Sequence, residues 1–184
     1  AYNLAIALLF SLSVVGSFAI VSEMVRIQAG RKTRVLRRPL LAGLMASVLM
    51  MGIGNLQGLA ESIRSLGIAT NGLWNWIGVW DVNNIGEGRT LFPEDRWWWW
   101  RATRVIDSGD NASYPSISEF PSFSFVLGDL HPHVMSLPFV LLSVFLCLKL
   151  MASSEAFSLP WIKANPIPFF IAAMSIGAHG FLNT

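Results

Sequence analysis

Charged residues are scarce in this sequence. Only 13% of its 184 residues are Asp, Glu, Lys or Arg, while 53% are hydrophobic, whereas an ordinary soluble domain is about a quarter charged. Cysteine is rarer still, because Cys147 is the only one. A single thiol excludes an intrachain disulfide and a Cys/His metal framework. These absences predict an all-α integral membrane protein, embedded in a lipid bilayer.

Long apolar runs are abundant instead. A helix of about 20 residues crosses a hydrocarbon core of about 30 Å, and four runs are that long or nearly so: about 2–22, 39–56, 130–151 and 166–184. Gly52 and Gly54 predict an irregular end for the second run. No charged residue lies in the middle of a run, which disfavours a transporter. We therefore expect a multi-pass protein of the cell membrane with about four transmembrane helices.

Basic residues are concentrated in one loop. Six of the thirteen Lys and Arg residues fall between Arg26 and Arg38, and short loops of this kind stay in the cytoplasm. Loop 23–38 is therefore predicted to be cytoplasmic and loop 57–129 extracytoplasmic, with no nucleic acid as a partner. The sequence lacks an initiator Met and signal-peptide features and stops in mid-pattern, so we expect the rest of a parent chain as a partner.

The predicted outer loop is rich in tryptophan. It holds seven of the eight Trp residues, and tryptophan prefers the headgroup level of a membrane. Interfacial helices are expected at about 56–66, 72–80 and 93–106. In EDRWWWWRATRVID, the side chains of Arg101 and Arg104 share a helix side with Trp97 one turn earlier. They suit an anionic headgroup or lipid-linked phosphate; alternatively, this is an anchor helix whose arginines pair with acidic neighbours.

Two acidic motifs follow. Pro121 disfavours helix at Phe120, which predicts an extended segment that carries Glu119 to the interface, either as a functional carboxylate or as a solvated loop residue. In LGDLHPHVM, Asp129 is expected to be the N-cap of the third span, with Pro132 in its first turn.

A cap does not explain the two histidines beside Asp129. Asp129, His131 and His133 fit three alternatives: capping with interface hydration, a catalytic or ligand-binding edge, or a divalent metal site for Mg or Mn.

The last polar pair is His179 with Asn183, four residues apart near the predicted outer end of the fourth span. The polar ends of the second, third and fourth spans could converge with Glu119, Arg101 and Arg104 in one cavity at the outer interface. The members expected at the span ends are Asn55, Gln57, Asp129, His131, His133, His179 and Asn183.

Three strings carry a resemblance to a known family: FPEDRWWWWRATRVI, ISEFPSFSFVLGDLHPHVMSLPF and the terminal GFLNT. They resemble the central region of the uncharacterised "YYY" family of multi-pass membrane proteins, which is grouped with the GT-C superfamily of glycosyltransferases. The resemblance covers most of the chain from about Phe92 onward, together with the AYNLAIALLF opening. The tyrosine run and acidic motif found upstream in that family are absent, so the resemblance implies an internal piece holding part of a site.

The resemblance implies transfer of a sugar from a polyprenyl-phosphate donor at the extracytoplasmic face. The residues then expected to be catalytic are Asp129, His131, His133 and Glu119, and those expected to bind substrate are Arg101, Arg104, Trp97, Trp98, His179 and Asn183. The alternative from another class is a non-enzymatic membrane scaffold or a subunit of a larger membrane complex.

Overall fold

The computed structural model describes residues 2–30, 37–68, 71–77, 90–91, 98–104, 117–153, 155 and 157–182. All regular structure within these ranges is helical, which confirms the predicted all-α class for them. The helices are α1 (Tyr2–Ala29), α2 (Arg37–Ser47), α3 (Gln57–Ser65), α4 (Asn71–Ile77), α5 (Trp98–Arg101), α6 (Pro121–Leu127), α7 (Pro132–Met151), α8 (Leu159–Ala164), α9 (Pro166–Gly177) and α10 (His179–Leu182), and a π-helical segment, Val48–Ile53, follows α2.

The chain divides into two compact units. The first unit comprises Ala1–Gly52 and Ser124–Thr184, and the second comprises Ile53–Phe123. In the first unit α1 packs against α2 and α7, and α7 also packs against α9 and α10. In the second unit α3 packs against α5.

Two of the described helices, Tyr2–Ala29 and Pro132–Met151, are long and apolar enough to cross a membrane. A third span results if the bent pair Arg37–Ile53 and Gln57–Ser65 counts as one. The π-helical segment and the positive φ of Gly54 (55°) interrupt this region, as Gly52 and Gly54 predicted. The fourth predicted run holds α9 and α10, which together give only a shorter apolar helix, Pro166–Phe181. The arrangement with four spans therefore stays a prediction.

Helices also occur where interfacial helices were expected. The helix expected at 56–66 corresponds to α3, and α4 lies within the segment expected at 72–80. Of the segment 93–106, the structure describes residues 98–104, where α5 is a single turn. Their position at a membrane surface stays a prediction.

Small residues let α1, α2 and α7 approach closely. A Cβ atom added at Gly43 would lie 2.6 Å from Cδ2 of Phe18 and 2.9 Å from its carbonyl oxygen. One turn further along α2, the Ser47 hydroxyl donates to the carbonyl oxygen of Val14 at 3.0 Å, so α1 and α2 run antiparallel. Gly16 meets Leu141 of α7 in the same way, with 2.8 Å between the added Cβ and Leu141 Cβ. Such small-residue seams are typical of helices packed in membranes.

Two hydrogen bonds, one near each end, show that α1 and α7 run parallel. The Tyr2 hydroxyl donates to the carbonyl oxygen of Gly128 at 2.8 Å, just before α7. At the other end, Lys149 Nζ donates to Glu23 Oε1 at 2.9 Å. The 20 residues of α7 span about 30 Å at about 1.5 Å per residue. The histidine motif and the basic end of α1 at Arg26 therefore lie at opposite ends of this pair, while the side that faces the cytoplasm stays a prediction.

The start of α7 corrects the expected cap. His131, not Asp129, is the N-cap residue, with φ −64° and ψ 151°, and its side chain makes no capping hydrogen bond. The reason is steric, since the Pro132 ring disfavours helical backbone at the residue before it. Pro132 itself takes the first helical position, where its missing N–H costs nothing. Asp129 thus precedes the helix, and the prediction that it caps the third span is wrong.

Replacing Gly43 with alanine tests the α1/α2 seam. Because the new methyl group would meet both the ring and the carbonyl oxygen of Phe18, we expect Gly43→Ala to lower the free energy of unfolding by about 1 to 3 kcal/mol. Gly177→Ala is the matched control, since no atom lies within 4 Å of its added Cβ. Thermal unfolding in detergent measures both, and equal midpoints for the two variants would contradict the packing described.

Candidate functional site

Helix α3 of the second unit buries a polar face. Gln57, Glu61, Arg64 and Ser65 are 4%, 0%, 6% and 0% exposed, and their spacing of four, three and one residues puts them on one side of a helix. The apolar side chains Leu56 and Leu59 are exposed instead. This is the reverse of a helix in a soluble domain. Charged groups turned inward are what a membrane protein shows at a functional or structural polar cluster.

Glu61 is the centre of this cluster. Its Oε2 lies 3.1 Å from Arg101 Nη2, and its Oε1 accepts a hydrogen bond from Gln57 Nε2 at 3.2 Å. Sequence reasoning assigned Arg101 to a substrate phosphate and missed Glu61. The signal was present in the polar residues at 57, 61, 64 and 65, which share a helix side within an otherwise apolar stretch.

Arg104 is in a different environment from Arg101. Its Cζ lies 4.9 Å from the centroid of the Trp100 ring, and its Nη1 donates to the Thr103 hydroxyl at 2.6 Å. The Trp100 ring is in turn contacted edge-on by Phe123, with 5.7 Å between the centroids. Both arginines are half-buried, but their partners differ. Arg101 pairs with the Glu61 carboxylate, whereas Arg104 contacts a hydroxyl, a carbonyl oxygen and an aromatic ring. Of the two arginines, Arg104 is therefore the better candidate for an anionic ligand.

The segment that carries Glu119 joins the turn beside Arg104. The Ser118 N–H donates to the carbonyl oxygen of Thr103 at 2.7 Å, and Asn55 Nδ2 donates to that of Ala102 at 2.7 Å. The second unit thus brings Asn55, Arg101, Arg104 and the Glu119 segment together. Trp97 lies outside the described residues, and of Trp98 only the backbone is described.

In the first unit, Asp129 and His131 form a close pair. Asp129 Oδ2 lies 2.8 Å from His131 Nδ1, and the two side chains are 42% and 45% exposed. The His133 ring lies beside that of His131, with 5.3 Å between the centroids. A carboxylate that accepts the Nδ1–H of an imidazole leaves Nε2 able to accept a proton. The pair is therefore competent for proton transfer.

Backbone geometry and one hydroxyl hold this pair in position. Gly128 ends α6 with φ 73°, a conformation that glycine adopts without strain. The Tyr2 hydroxyl accepts the N–H of Leu130 at 3.3 Å while it donates to Gly128 O at 2.8 Å. The sequence analysis did not predict α6. It also missed the role of Tyr2, because a tyrosine at the end of an apolar run indicates only an interface.

The described residues contain no group of three His, Cys, Asp or Glu side chains able to hold a metal ion. Asp129 and His131 supply two such groups in contact. A Mg or Mn site at Asp129, His131 and His133 therefore has no support from the described geometry.

His179 differs from the expectation that it joins the other histidines. Its Nε2 lies 2.8 Å from the hydroxyl oxygen of Ser143, which is about 17 Å along α7 from Pro132 at about 1.5 Å per residue. The reason is length, because the 12 residues of α9 are too few to reach the other end of α7. Asn183 lies outside the described residues, and the single cavity expected from all these groups stays a prediction.

A chain of apolar helices with charged side chains turned inward defines the class as a helical membrane protein. The model of the family described as "Uncharacterized membrane protein (DUF2298)" matches residues 1–184, and the chain belongs to that family. This match confirms the expected membership of an uncharacterised membrane protein family. The family description names no activity. No curated protein and no solved structure matches the chain.

A double-mutant cycle tests the Glu61–Arg101 pair. Removing one partner leaves a buried charge uncompensated, so Glu61→Gln and Arg101→Gln should each cost about 3 to 5 kcal/mol of stability. The double variant should lose clearly less than the sum of the two losses. Arg26→Gln is the control, because that arginine pairs with Glu23 while 62% exposed, and an exposed pair contributes about 0 to 1 kcal/mol. Additive losses from denaturant unfolding would refute the pairing.

Ser143→Ala tests the contact with His179. We expect a loss of about 0.6 kcal/mol, and at most about 1.7 kcal/mol, since polar contacts between membrane helices are of this size. Ser136→Ala is the matched control, because that buried hydroxyl donates to the His133 carbonyl oxygen of its own helix at 2.9 Å. Only Ser143→Ala should also make His179 more reactive to an imidazole-modifying reagent. Unchanged reactivity would count against the contact.

Proposed function

We propose that the chain is part of a membrane enzyme of the glycosyltransferase kind, which takes a sugar from a polyprenyl-phosphate donor at the extracytoplasmic face. One observation supports the proposal: the turn at residues 102–104 includes Arg104 and also bonds to the segment that carries Glu119. The Arg104 guanidinium lies 4.9 Å from the Trp100 ring centroid. The carbonyl oxygen of Thr103 accepts the N–H of Ser118, the neighbour of Glu119, at 2.7 Å. A cation and a carboxylate-bearing segment meet there.

Arg104 is assigned to the donor phosphate. A guanidinium binds phosphate oxygens through two parallel hydrogen bonds, and it retains its charge at every physiological pH. The Trp100 ring, which Arg104 covers on one face, is 39% exposed, and a lipid or sugar can pack against its exposed part. Arg101 is assigned a positioning role, because Glu61 already holds its Nη2 at 3.1 Å and so anchors α5 to α3.

Glu119 is assigned to the proton. In the proposed reaction, the acceptor hydroxyl oxygen attacks the anomeric carbon of the sugar as the bond from that carbon to the phosphate oxygen breaks. The phosphate leaves with the electron pair, and the charge that develops on it is stabilised by Arg104. The hydroxyl proton passes to the Glu119 carboxylate. His131, oriented by Asp129 at 2.8 Å, is the second candidate for proton transfer.

Purified full-length protein, offered a polyprenyl-phosphate sugar, tests these roles. Arg104→Gln removes a charged hydrogen-bond donor and should weaken donor binding by about tenfold or more. Glu119→Gln should leave donor binding within about twofold and lower the transfer rate by about 100-fold or more, since general-base catalysis contributes about that much. Lipid-binding assays and radiolabelled sugar transfer measure the two effects separately.

Arg37→Gln is the control for charge, because that exposed arginine of α2 lies in the first unit. It should leave both binding and transfer unchanged. Wild-type protein that neither binds the donor in an Arg104-dependent way nor transfers sugar would refute the enzyme and favour the scaffold.

A further inference from the structure

A cavity in the first unit is lined by none of the residues discussed as a functional site. Its volume is about 420 Å³, and its lining comes from the end of α7, the following loop, α8 and the start of α9. Cavities that hold small ligands measure about 300 to 1,000 Å³. Its size therefore suits part of an amphiphile, such as a lipid headgroup with the first atoms of its chains.

The polar side chains that line the cavity on two helices lie toward the same end of it. On α7, Lys149 lines the cavity near the end of the helix and Leu146 lines it almost one turn deeper. On α9, which runs the other way, Asn165 lines it at the N-terminus and Ala172 about two turns deeper. Both helices thus place polar groups at the same end of the cavity. A phospholipid lying along a membrane-spanning helix likewise has its polar headgroup at one end and its apolar chains beyond it. The Trp161 indole completes the lining and is a side chain typical of the headgroup level.

Two charged side chains of opposite sign line the polar end of the cavity, Lys149 and Glu155. Lys149 Nζ donates to Glu23 at 2.9 Å, and an ammonium group has three N–H donors, so this contact positions the cation without using all of its donors. The Glu155 backbone is held in the loop, because its N–H donates to the Ser153 hydroxyl at 3.2 Å. A cation and a carboxylate that line one cavity suit a headgroup with both an anion and a cation.

We propose that this cavity binds a phospholipid with a phosphoethanolamine headgroup, its phosphate on Lys149 and its primary ammonium on Glu155. A glycerol headgroup has no cation for Glu155. A choline headgroup has a cation but no N–H to donate to the carboxylate, whereas charge-assisted hydrogen bonds are the stronger ones. The proposal depends on the chain lying in a bilayer and is independent of the proposed sugar transfer.

Native mass spectrometry of the full-length protein, titrated with single phospholipids in detergent, tests the site. We expect wild-type protein to retain phosphatidylethanolamine about tenfold better than phosphatidylcholine or phosphatidylglycerol of the same chains. Glu155→Gln should abolish the preference for ethanolamine over choline, while Lys149→Met should weaken the binding of all three lipids. Lys163→Met, which removes an exposed cation of α8 that does not line the cavity, should change none of these affinities.

Lys149→Met also removes the contact with Glu23, so its unfolding midpoint is measured in parallel. Glu155 is exposed, and Glu155→Gln leaves the contact between Lys149 and Glu23 intact. Glu155→Gln therefore decides the proposal even if Lys149→Met unfolds. Equal retention of the three lipids by wild-type protein, a preference for phosphatidylglycerol, or an ethanolamine preference that survives Glu155→Gln would each overturn it.

Discussion

Polar groups away from water must find partners inside the protein, and the described structure is arranged around that constraint. In hydrocarbon or in a packed interior, an unpaired charge is far more costly than a hydrogen-bonded one. The polar face of α3 is the clearest case, because Glu61, at 0% exposure, accepts from both Arg101 and Gln57. This pair joins the single turn of α5 to α3, and the Arg104 turn follows α5 directly along the chain.

Serines follow the same rule in the first unit. Ser13 donates its hydroxyl to the carbonyl oxygen of Leu9 within α1 at 2.8 Å, and Ser17 contacts Ser47 across the α1/α2 seam at 3.2 Å. Ser143 and His179 satisfy each other at 2.8 Å. Because lipid tails are as apolar as the helices, association of these helices depends on close packing and on such hydrogen bonds rather than on burial from water.

Prolines set the boundaries of the structure near the histidines. Pro121 begins α6 and Pro132 begins α7, and each restricts the residue before it to extended backbone. Asp129 and His131 are left outside helices, in a short segment between Gly128 and Pro132. Their side chains meet at 2.8 Å because the segment is extended at His131, which places residues two apart on the same side. The expected cap at Asp129 overlooked this effect of Pro132.

The sequence by itself determined the class of protein, two long apolar helices, the irregular end of the second run and the helical structure of α3 and α4 in the predicted outer loop. These follow from composition, run length and the local preferences of glycine and proline, which act over a few residues. Tertiary structure decided which polar groups are partners. Arg101 contacts Glu61, 40 residues away in sequence, and His179 contacts Ser143, 36 residues away. Such pairs are determined by helix length, register and packing, and the residues next to either partner in the sequence specify none of these.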